Sequence, residues 1–536
     1  MPENSVELIP LGGLGEIGLN TMVLKCGPDM VVIDSGLMFP EAHMYGVDFV
    51  IPDFSFLLEH ADQIRAVILT HGHEDHIGSL PFLLGQINVP VYGTKLTLAL
   101  VEDRLKEHNL EHEIRCRNIS PREKLKLGPF TFEFIRVSHS ILDGLGLAIE
   151  TPAGFIIHSG DFKIDHGLPP EQATDLNKFA EYGERGVLAL LSDSTNVERT
   201  GNSSSENTIL ETFRGIFRAS KGRIVMAMFA SNISRIQHVA NIALEFDRLL
   251  AFDGRSMVTN VRIAKEIGFL AFAENQEVAL GQLSELPDDK VVLISTGSQG
   301  EPMSALTRMA LGEHKQIKIK PGDTVILSSR FIPGNERSIT NIINNLYRQG
   351  AEVIYESVAH VHVSGHAYQE ELKTMIKLTR PKFFIPIHGE YRHLIRHTEL
   401  AHQVGLPDEN LILIENGEHI QLHDRGFNRL ERVNTGRVLV DGKGEGDIGQ
   451  AVLRDRRHLA EHGMVIVLLV IDEQTGEILS GPDLISKGLI FDEGEDELLD
   501  EAKNLVLEIL DRLGEEGESA VSPLVDLTEI KAEIHR

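Results

Sequence analysis

The chain holds only two cysteines in 536 residues, Cys26 and Cys116. They lie far apart, and neither belongs to a CxxC pair. A disulfide framework and a thiolate-type zinc site are thereby excluded, and a reducing, cytoplasmic setting is expected. Long apolar runs are missing too. None approaches the roughly 20 residues needed to span a bilayer, so no membrane partner is expected. The opening MPENSVELIPLGG shows no basic segment followed by an apolar core, so no secretory signal is expected. Positive charge is scarce: 51 Lys and Arg stand against 80 Asp and Glu, a net charge of −29. A protein that coats nucleic acid would be basic. A nucleic-acid enzyme stays open, because bound divalent cations and a local basic groove can reverse the field at one site. Part of the acid is concentrated in FDEGEDELLDEAKN (491–504), which reads as a solvated helix face.

What is present supports packed cores. Apolar residues make up 42%, and the length predicts two to four domains at roughly 100–200 residues each. The first 200 residues repeat short apolar runs that end in polar, Gly-rich turns: VELIPL, MVVIDSG, AVILT, FTFEFIRVSHS, GFIIHSGD and VLALLSDS. These are strand signals, and the three- and four-residue spacing of KLTLALVEDRLKEHNL (95–110) predicts a helix. The fold class is α/β. GLGEIG (13–18) matches the dinucleotide fingerprint, but a strand-like LNTMVLKCG follows it where a helix would be needed, so its glycines read as a hairpin-like turn. From 204 to 359, helical and strand segments alternate, with RIQHVANIALEFDRLLAF read as one helix and a parallel sheet expected. Strands ending in histidine resume from 360 to about 430. A turn-rich link, LVDGKGEGDIG, precedes a last segment with the apolar strand MVIVLLVID and an amphipathic helix near 497–513.

The densest chemistry is AVILTHGHEDHIGSL (66–80). His71 and His73 stand at i and i+2, and alternate residues of an extended or loop backbone point the same way. They can share one metal, while Asp75 and His76 turn towards a second. Imidazole and carboxylate suit Zn²⁺ or Mn²⁺ without thiolate. Two such ions about 3.5–4 Å apart clamp an in-line displacement at phosphorus. Further ligands follow other apolar runs: His139 in RVSHS, Asp161 in HSGDFK and His388 in FIPIHGE. All are expected at one sheet edge, where α/β folds place chemistry, with Asp161 spanning both ions. Any one of the 24 histidines alone reads as a surface or satisfied core residue; the set does not. Glu74 is expected to point away from both ions.

THGHEDHIGSL resembles the HxHxDH signature of the metallo-β-lactamase fold. LLSDSTN with Asp193, HVSGHA with His366 and PIHGE with His388 resemble the three extra motifs of the beta-CASP nucleases. FASNISRIQ, STGSQGEPMSAL, IPGNE, VDGKGEGDIG, LRDRRHLAEHG and SGPDLISKGL are similar to the ribonuclease J family, over almost the whole chain. The resemblance implies a metallo-β-lactamase αββα sandwich (1–203 and 360–430) with an inserted beta-CASP α/β domain (204–359). A linker (431–449) and a small C-terminal α/β domain (450–536) would follow. It implies a 5′→3′ exonuclease that favours single-stranded, 5′-monophosphorylated RNA, with endonuclease activity as well, serving mRNA decay and rRNA maturation. Two zinc or manganese ions per subunit, a homodimer or homotetramer assembled with help from the C-terminal domain, and an RNA-degradation complex are implied with it.

By the same resemblance, His71, His73 and His139 hold one ion, and Asp75, His76 and His388 the other, with Asp161 bridging. Asp193 orients a ligand imidazole, and His366 protonates the leaving 3′-oxygen. His362, Ser364 and Gly365 hold an RNA phosphate. Ser231, Asn232 and Arg235 line the 5′-phosphate pocket, with loop 295–299 a further candidate through its backbone N–H groups. Asp48 and Asp441 are the positions for a structural Ca²⁺-like ion, although each alone reads as a turn aspartate. Two rivals remain. A lactamase or thioesterase would need neither the insertion nor the Asp193 and His366 motifs. A non-catalytic RNA-binding subunit would have lost ligands, whereas all seven positions here carry competent residues.

Overall fold

The computed structural model describes residues 4–517, except 42, 111, 302, 332–334, 443, 446–448, 473–477 and 489–494. Part of the IPGNE motif, part of the link at 439–449 and the expected C-terminal domain beyond residue 517 therefore lie outside the described residues. By compactness the chain forms two units. Residues 1–39 and 49–438 make one; residues 40–48 and 439–536 make the other.

The first unit is built on two facing sheets. The eight-stranded sheet has the order Gly426–Arg429, Ile420–His423, Ser5–Gly12, Thr21–Cys26, Asp29–Ile33, Ile64–Ile68, Val91–Gly93, Cys116–Asn118. The six-stranded sheet has the order Phe383–Ile387, Val187–Asp193, Gly154–His158, Leu145–Thr151, Phe130–Arg136, Lys124–Leu127. Period-2 alternation decides what each strand buries. Phe132 and Phe134 meet Leu8, Leu24 and Ile68 in the core between the sheets. Ile135 and Val137 face the other way, onto Phe179, Leu372 and Met375 from helices Leu176–Arg185 and Gln369–Thr379. This is the expected αββα sandwich. The GLGEIG glycines lie in the connection between the antiparallel strands Ser5–Gly12 and Thr21–Cys26.

Between Asp193 and Gln369 the chain builds a separate five-stranded sheet. Its order is Leu249–Asp253, Val291–Ser295, Ile224–Ala227, Thr324–Leu327, Glu352–Ile354, and every pairing is parallel. One expectation is corrected. The helix at 233 stops at Glu245, Asp247 takes a left-handed φ of 53°, and Leu249–Asp253 is a strand. Its apolar residues pack in the sheet, where a buried strand and a buried helix look alike in sequence.

In the second unit, strands Met464–Ile471 and Ile478–Lys487 pair antiparallel, and helix Glu495–Gly517 supplies Val506 and Leu510 to a small core with Val467 and Leu469. Residues 40–48 join this unit. The Asp48 N–H donates to the Val440 carbonyl, and Arg456 donates to the carbonyls of Tyr45 and Gly46. Among the described residues no helix is long and apolar enough to cross a membrane.

Candidate metal centre

Strands Phe130–Arg136, Gly154–His158, Val187–Asp193 and Phe383–Ile387 all run in one direction, because two antiparallel pairings and two parallel ones relate them. Their carboxyl ends therefore deliver His139, Asp161, Asp193 and His388 to one rim of the second sheet. His71, His73, Asp75 and His76 come instead from the other sheet, beyond Ile64–Ile68. The single sheet edge expected from sequence is thus two rims meeting. Alternation along an extended backbone also holds only as far as His73 (φ −76°, ψ 151°); Glu74–Ile77 form one helical turn, which carries Asp75 and His76. The N–H groups of Asn20, Ser35 and Leu37 hold the carbonyls of Asp75, His76 and Glu74. That close approach needs Gly36, where a Cβ would lie 1.7 Å from the Asp75 carbonyl oxygen.

Two ligand sets result. In the first, His73 Nδ1 lies 3.1 Å from His71 Nε2 and 3.2 Å from His139 Nε2. In the second, His388 Nε2 lies 3.3 Å from Asp75 Oδ2 and 3.3 Å from His76 Nε2. Asp161 Oδ2 approaches both sets: 3.3 Å from His76 and His388, 3.7 Å from His71 and 3.8 Å from His139. Glu74 turns away, to an ion pair with Arg104.

The outer partners fix which nitrogen faces inwards. His139 Nδ1 donates to the Gly365 carbonyl at 2.7 Å, and His76 Nδ1 donates to Asp34 Oδ2 at 2.8 Å. Thr70 Oγ1 donates to Asp34 Oδ2 at 2.8 Å, so it accepts from His71 Nδ1 at 3.1 Å. His71, His76 and His139 therefore turn Nε2 inwards, as a lone pair once that nitrogen carries no proton. Lone pairs this close repel each other unless a cation lies between them, so the donor set fits divalent metal ions of the zinc or manganese kind. Asp34 and Thr70 were not found from sequence. Asp34 carries the same signal as the ligands, an acid straight after an apolar run, and sits at a left-handed φ of 60°; His388 shares that region at 57°. Two non-glycine residues held there suit a site whose geometry overrides local preference.

Charge follows the same division. Burial, aided by neighbouring imidazoles, holds His71 and His139 well below the usual histidine range and His73 at about 4, so the first set is neutral at pH 7. Burial also opposes charge on His76 and His388. The surrounding carboxylates outweigh it, raising His76 well above its ordinary value and His388 to about 9. Burial likewise resists charge on Asp75 and Asp161, and the imidazoles overcome it. Protons and divalent cations are alternatives for these carboxylates. Beside the cluster, His366 Nδ1 donates to Asp193 Oδ2 at 2.8 Å. Against the cost of burial, Asp193 raises the imidazole and is itself lowered.

The expected RNA-holding residues fare unevenly. Ser364 Oγ accepts from Asn196 Nδ2 at 2.7 Å, and Ser231 is half-buried just before helix Ile233–Glu245. Arg235 is already engaged within the protein. It is 1% exposed, and its guanidinium binds Glu206 Oε1 at 2.7 Å, the Ser328 and Val363 carbonyls, and His362 Nδ1 at 3.2 Å. Asn232 is a buried helix cap that accepts from the Arg235 N–H. The side chains of loop 295–299 face inwards as well. Ser295, Ser298 and Gln299 are buried, and Gln299 Nε2 donates to Ser329 and to the Arg330 carbonyl. Asp48 accepts from the Gly442 N–H, and Asp441 pairs with Arg456. Among the described residues, no cluster of three candidate His, Cys, Asp or Glu ligands includes either aspartate.

Gly365 has a firmer role than phosphate contact. A Cβ there would lie 2.7 Å from His139 Nδ1 and 2.6 Å from the Ser140 nitrogen. Gly365→Ala is expected to displace the His139 ring and to weaken metal uptake by the first set roughly 10–100-fold, as loss of an outer partner does. Zinc titration of the folded variant checks this; unchanged uptake would refute it.

Four family models match the chain. "Beta-lactamase superfamily domain" covers residues 28–178, "Ribonuclease J, beta-CASP domain" 221–346, "Zn-dependent metallo-hydrolase RNA specificity domain" 350–412 and "Ribonuclease J C-terminal domain" 451–533. The Ribonuclease J of Helicobacter pylori is 40% identical over 498 residues, 93% of this chain and 72% of that protein. The Ribonuclease J of Thermus thermophilus is 43% identical over 516 residues, 95% and 89% of the two chains. The chain belongs to the ribonuclease J family. A solved protein of unknown function from Enterococcus faecalis shares the fold, with a TM-score of 0.55 and 16% identity over 78% of this chain and all of that one. The metallo-β-lactamase fold, the beta-CASP insertion and the family's C-terminal domain are thus all present. Family, fold and ligand cluster together make this a metal-dependent ribonuclease.

Proposed function

We propose that this ribonuclease degrades single-stranded RNA 5′→3′ from a 5′-monophosphate end and also cuts internally, serving mRNA decay and rRNA maturation. Homo-oligomeric assembly and a place in an RNA-degradation complex belong to the same proposal and rest on family membership alone. The observation that supports the chemistry is the position of Asp161, whose one oxygen approaches both ligand sets, beside the His366–Asp193 pair.

His71, His73 and His139 would hold one divalent cation, and Asp75, His76 and His388 a second, with Asp161 shared. Such cations, when bound, supply an acidified water and neutralise charge developing on the phosphate. The protein's own residues do the rest. His366 has Nδ1 committed to Asp193, which leaves Nε2 to give its proton to the departing 3′-oxygen. Asp193 favours the charged form of that imidazole and holds it in one orientation. Ser231, His362 and Ser364 are the side chains assigned to the RNA phosphates. Each cut leaves a 5′-phosphate on the shortened RNA, the same end group that began the cycle.

One gel tests this. Metal-loaded protein is incubated with 5′-monophosphate, 5′-triphosphate and circular forms of one RNA. Mononucleotides mainly from the monophosphate form are expected, with slower internal cutting of the circle. Equal cutting of all three would make the enzyme an endonuclease. No cutting would leave an RNA-binding subunit.

A further inference from the structure

Thr195 stands two residues beyond Asp193, at the end of strand Val187–Asp193. Its Oγ1 lies 2.8 Å from Asp193 Oδ1 and 2.6 Å from His388 Nδ1. An ionised carboxylate can only accept a hydrogen bond. The single hydroxyl proton therefore goes to Asp193. The His388 carbonyl, at 3.3 Å, is the more distant and uncharged competitor. The hydroxyl must then accept from His388 Nδ1–H. That fixes the ring's orientation and leaves Nε2 as the nitrogen that faces Asp75 and Asp161, free to hold a cation in place of a proton. The other oxygen of the same carboxylate, Asp193 Oδ2, is bound to His366 Nδ1 at 2.8 Å.

We propose that Thr195 is a positioning residue that relays Asp193 to His388, so that one carboxylate orients both the proton-donating imidazole and one of the metal-holding imidazoles. The inference rests on the two-cation reading above. It explains why a threonine follows Asp193 at this spacing. The backbone N–H of Thr195 donates to Asp193 Oδ1 at 3.0 Å, and its hydroxyl reaches the same oxygen. The turn that closes over the aspartate thus carries the hydroxyl to the ring. His388 itself holds a left-handed backbone conformation, so its ring direction is not guaranteed by local preference and needs an anchor. The other metal-holding imidazoles with an identified outer partner use Asp34, Thr70 and the Gly365 carbonyl. His388 alone is linked to the group that also holds His366.

The test uses the full chain stripped of metal with a chelator and titrated with Zn²⁺ alone. Wild type is expected to bind two ions. Thr195→Val removes the hydroxyl and keeps the branched shape; Thr195→Ala serves if the added methyl disturbs folding. Either is expected to weaken one binding step roughly 10–100-fold, the usual cost of losing an outer partner, and to leave the other unchanged. Thr195→Ser keeps the oxygen and is expected to restore both steps. A parallel assay should show a fall in kcat with KM little altered. Two equally tight steps in the Val or Ala variant, equal weakening of both steps, or failure of Ser to rescue would overturn the relay and leave the two-cation reading standing. A wild type that takes up fewer than two ions would overturn that reading, and the relay with it.

Discussion

Asp161→Asn is expected to abolish RNA cleavage while the chain still folds. Asp161 is 4% exposed, and among the described residues its Oδ2 is the one carboxylate oxygen placed near both ligand sets. Asparagine matches its shape but carries no charge, and its amide nitrogen cannot ligate a cation. Losses at outer partners run to about 10–100-fold. Removal of the shared ligand touches both sets at once, so the expected loss exceeds that range and falls to background. The fold should tolerate the change. Asparagine keeps the side chain's shape, and its amide oxygen can still accept from His76 and His388, which approach Asp161 at 3.3 Å. Asp75→Ala and His388→Ala should behave alike, each through the second set. The measurement pairs metal content with cleavage of a 5′-monophosphate RNA. An Asp161→Asn protein that retains two ions and cuts within tenfold of wild type would sink the assignment.

The second large effect is on stability. Arg235→Met is expected to destabilise the first unit by about 3–5 kcal/mol, the range for breaking a buried ion pair and leaving one charge stranded. Glu206 would be that charge: it is buried, and Arg235 is its guanidinium partner at 2.7 Å. The Ser328 and Val363 carbonyls would lose donors as well. Arg235→Met combined with Glu206→Leu should recover much of the loss, because a well-packed apolar pair replaces a satisfied ionic one at little cost. Urea unfolding of the three proteins measures this. If Arg235→Met kept wild-type stability and only weakened binding of 5′-monophosphate RNA, the phosphate role would be restored.

The contrast between these residues shows what sequence could reveal. The seven candidate ligands were legible because their types are unusual at strand ends: four cluster after one apolar run, and three follow separate ones. The sandwich and the parallel insertion were legible from period-2 and βα patterning. Arg235 was assigned to the 5′-phosphate pocket by resemblance alone, and nothing in its local sequence announces its pairing with a glutamate 29 residues away. Thr195 and Thr70 carry no sequence signal, since a hydroxyl becomes an anchor only when folding brings an imidazole to it. Residues 40–48 join the second unit through hydrogen bonds to Val440 and Arg456, partners far away in sequence.

The order of the ligands along the chain has a consequence for biosynthesis. His71 to Asp161 are made early, but His388 follows the entire insertion, on a strand that pairs with Val187–Asp193. Strand Ile420–His423, later still, is the neighbour of the N-terminal strand Ser5–Gly12. At roughly 5–20 residues per second, translation from Asp161 to His388 takes on the order of ten to forty seconds. During that interval the nascent chain carries six of the seven residues proposed to hold metal but no complete second set. It emerges beside the messenger RNA that encodes it, and on the proposed two-cation reading it cannot become a nuclease until the ribosome has passed the codon for His388.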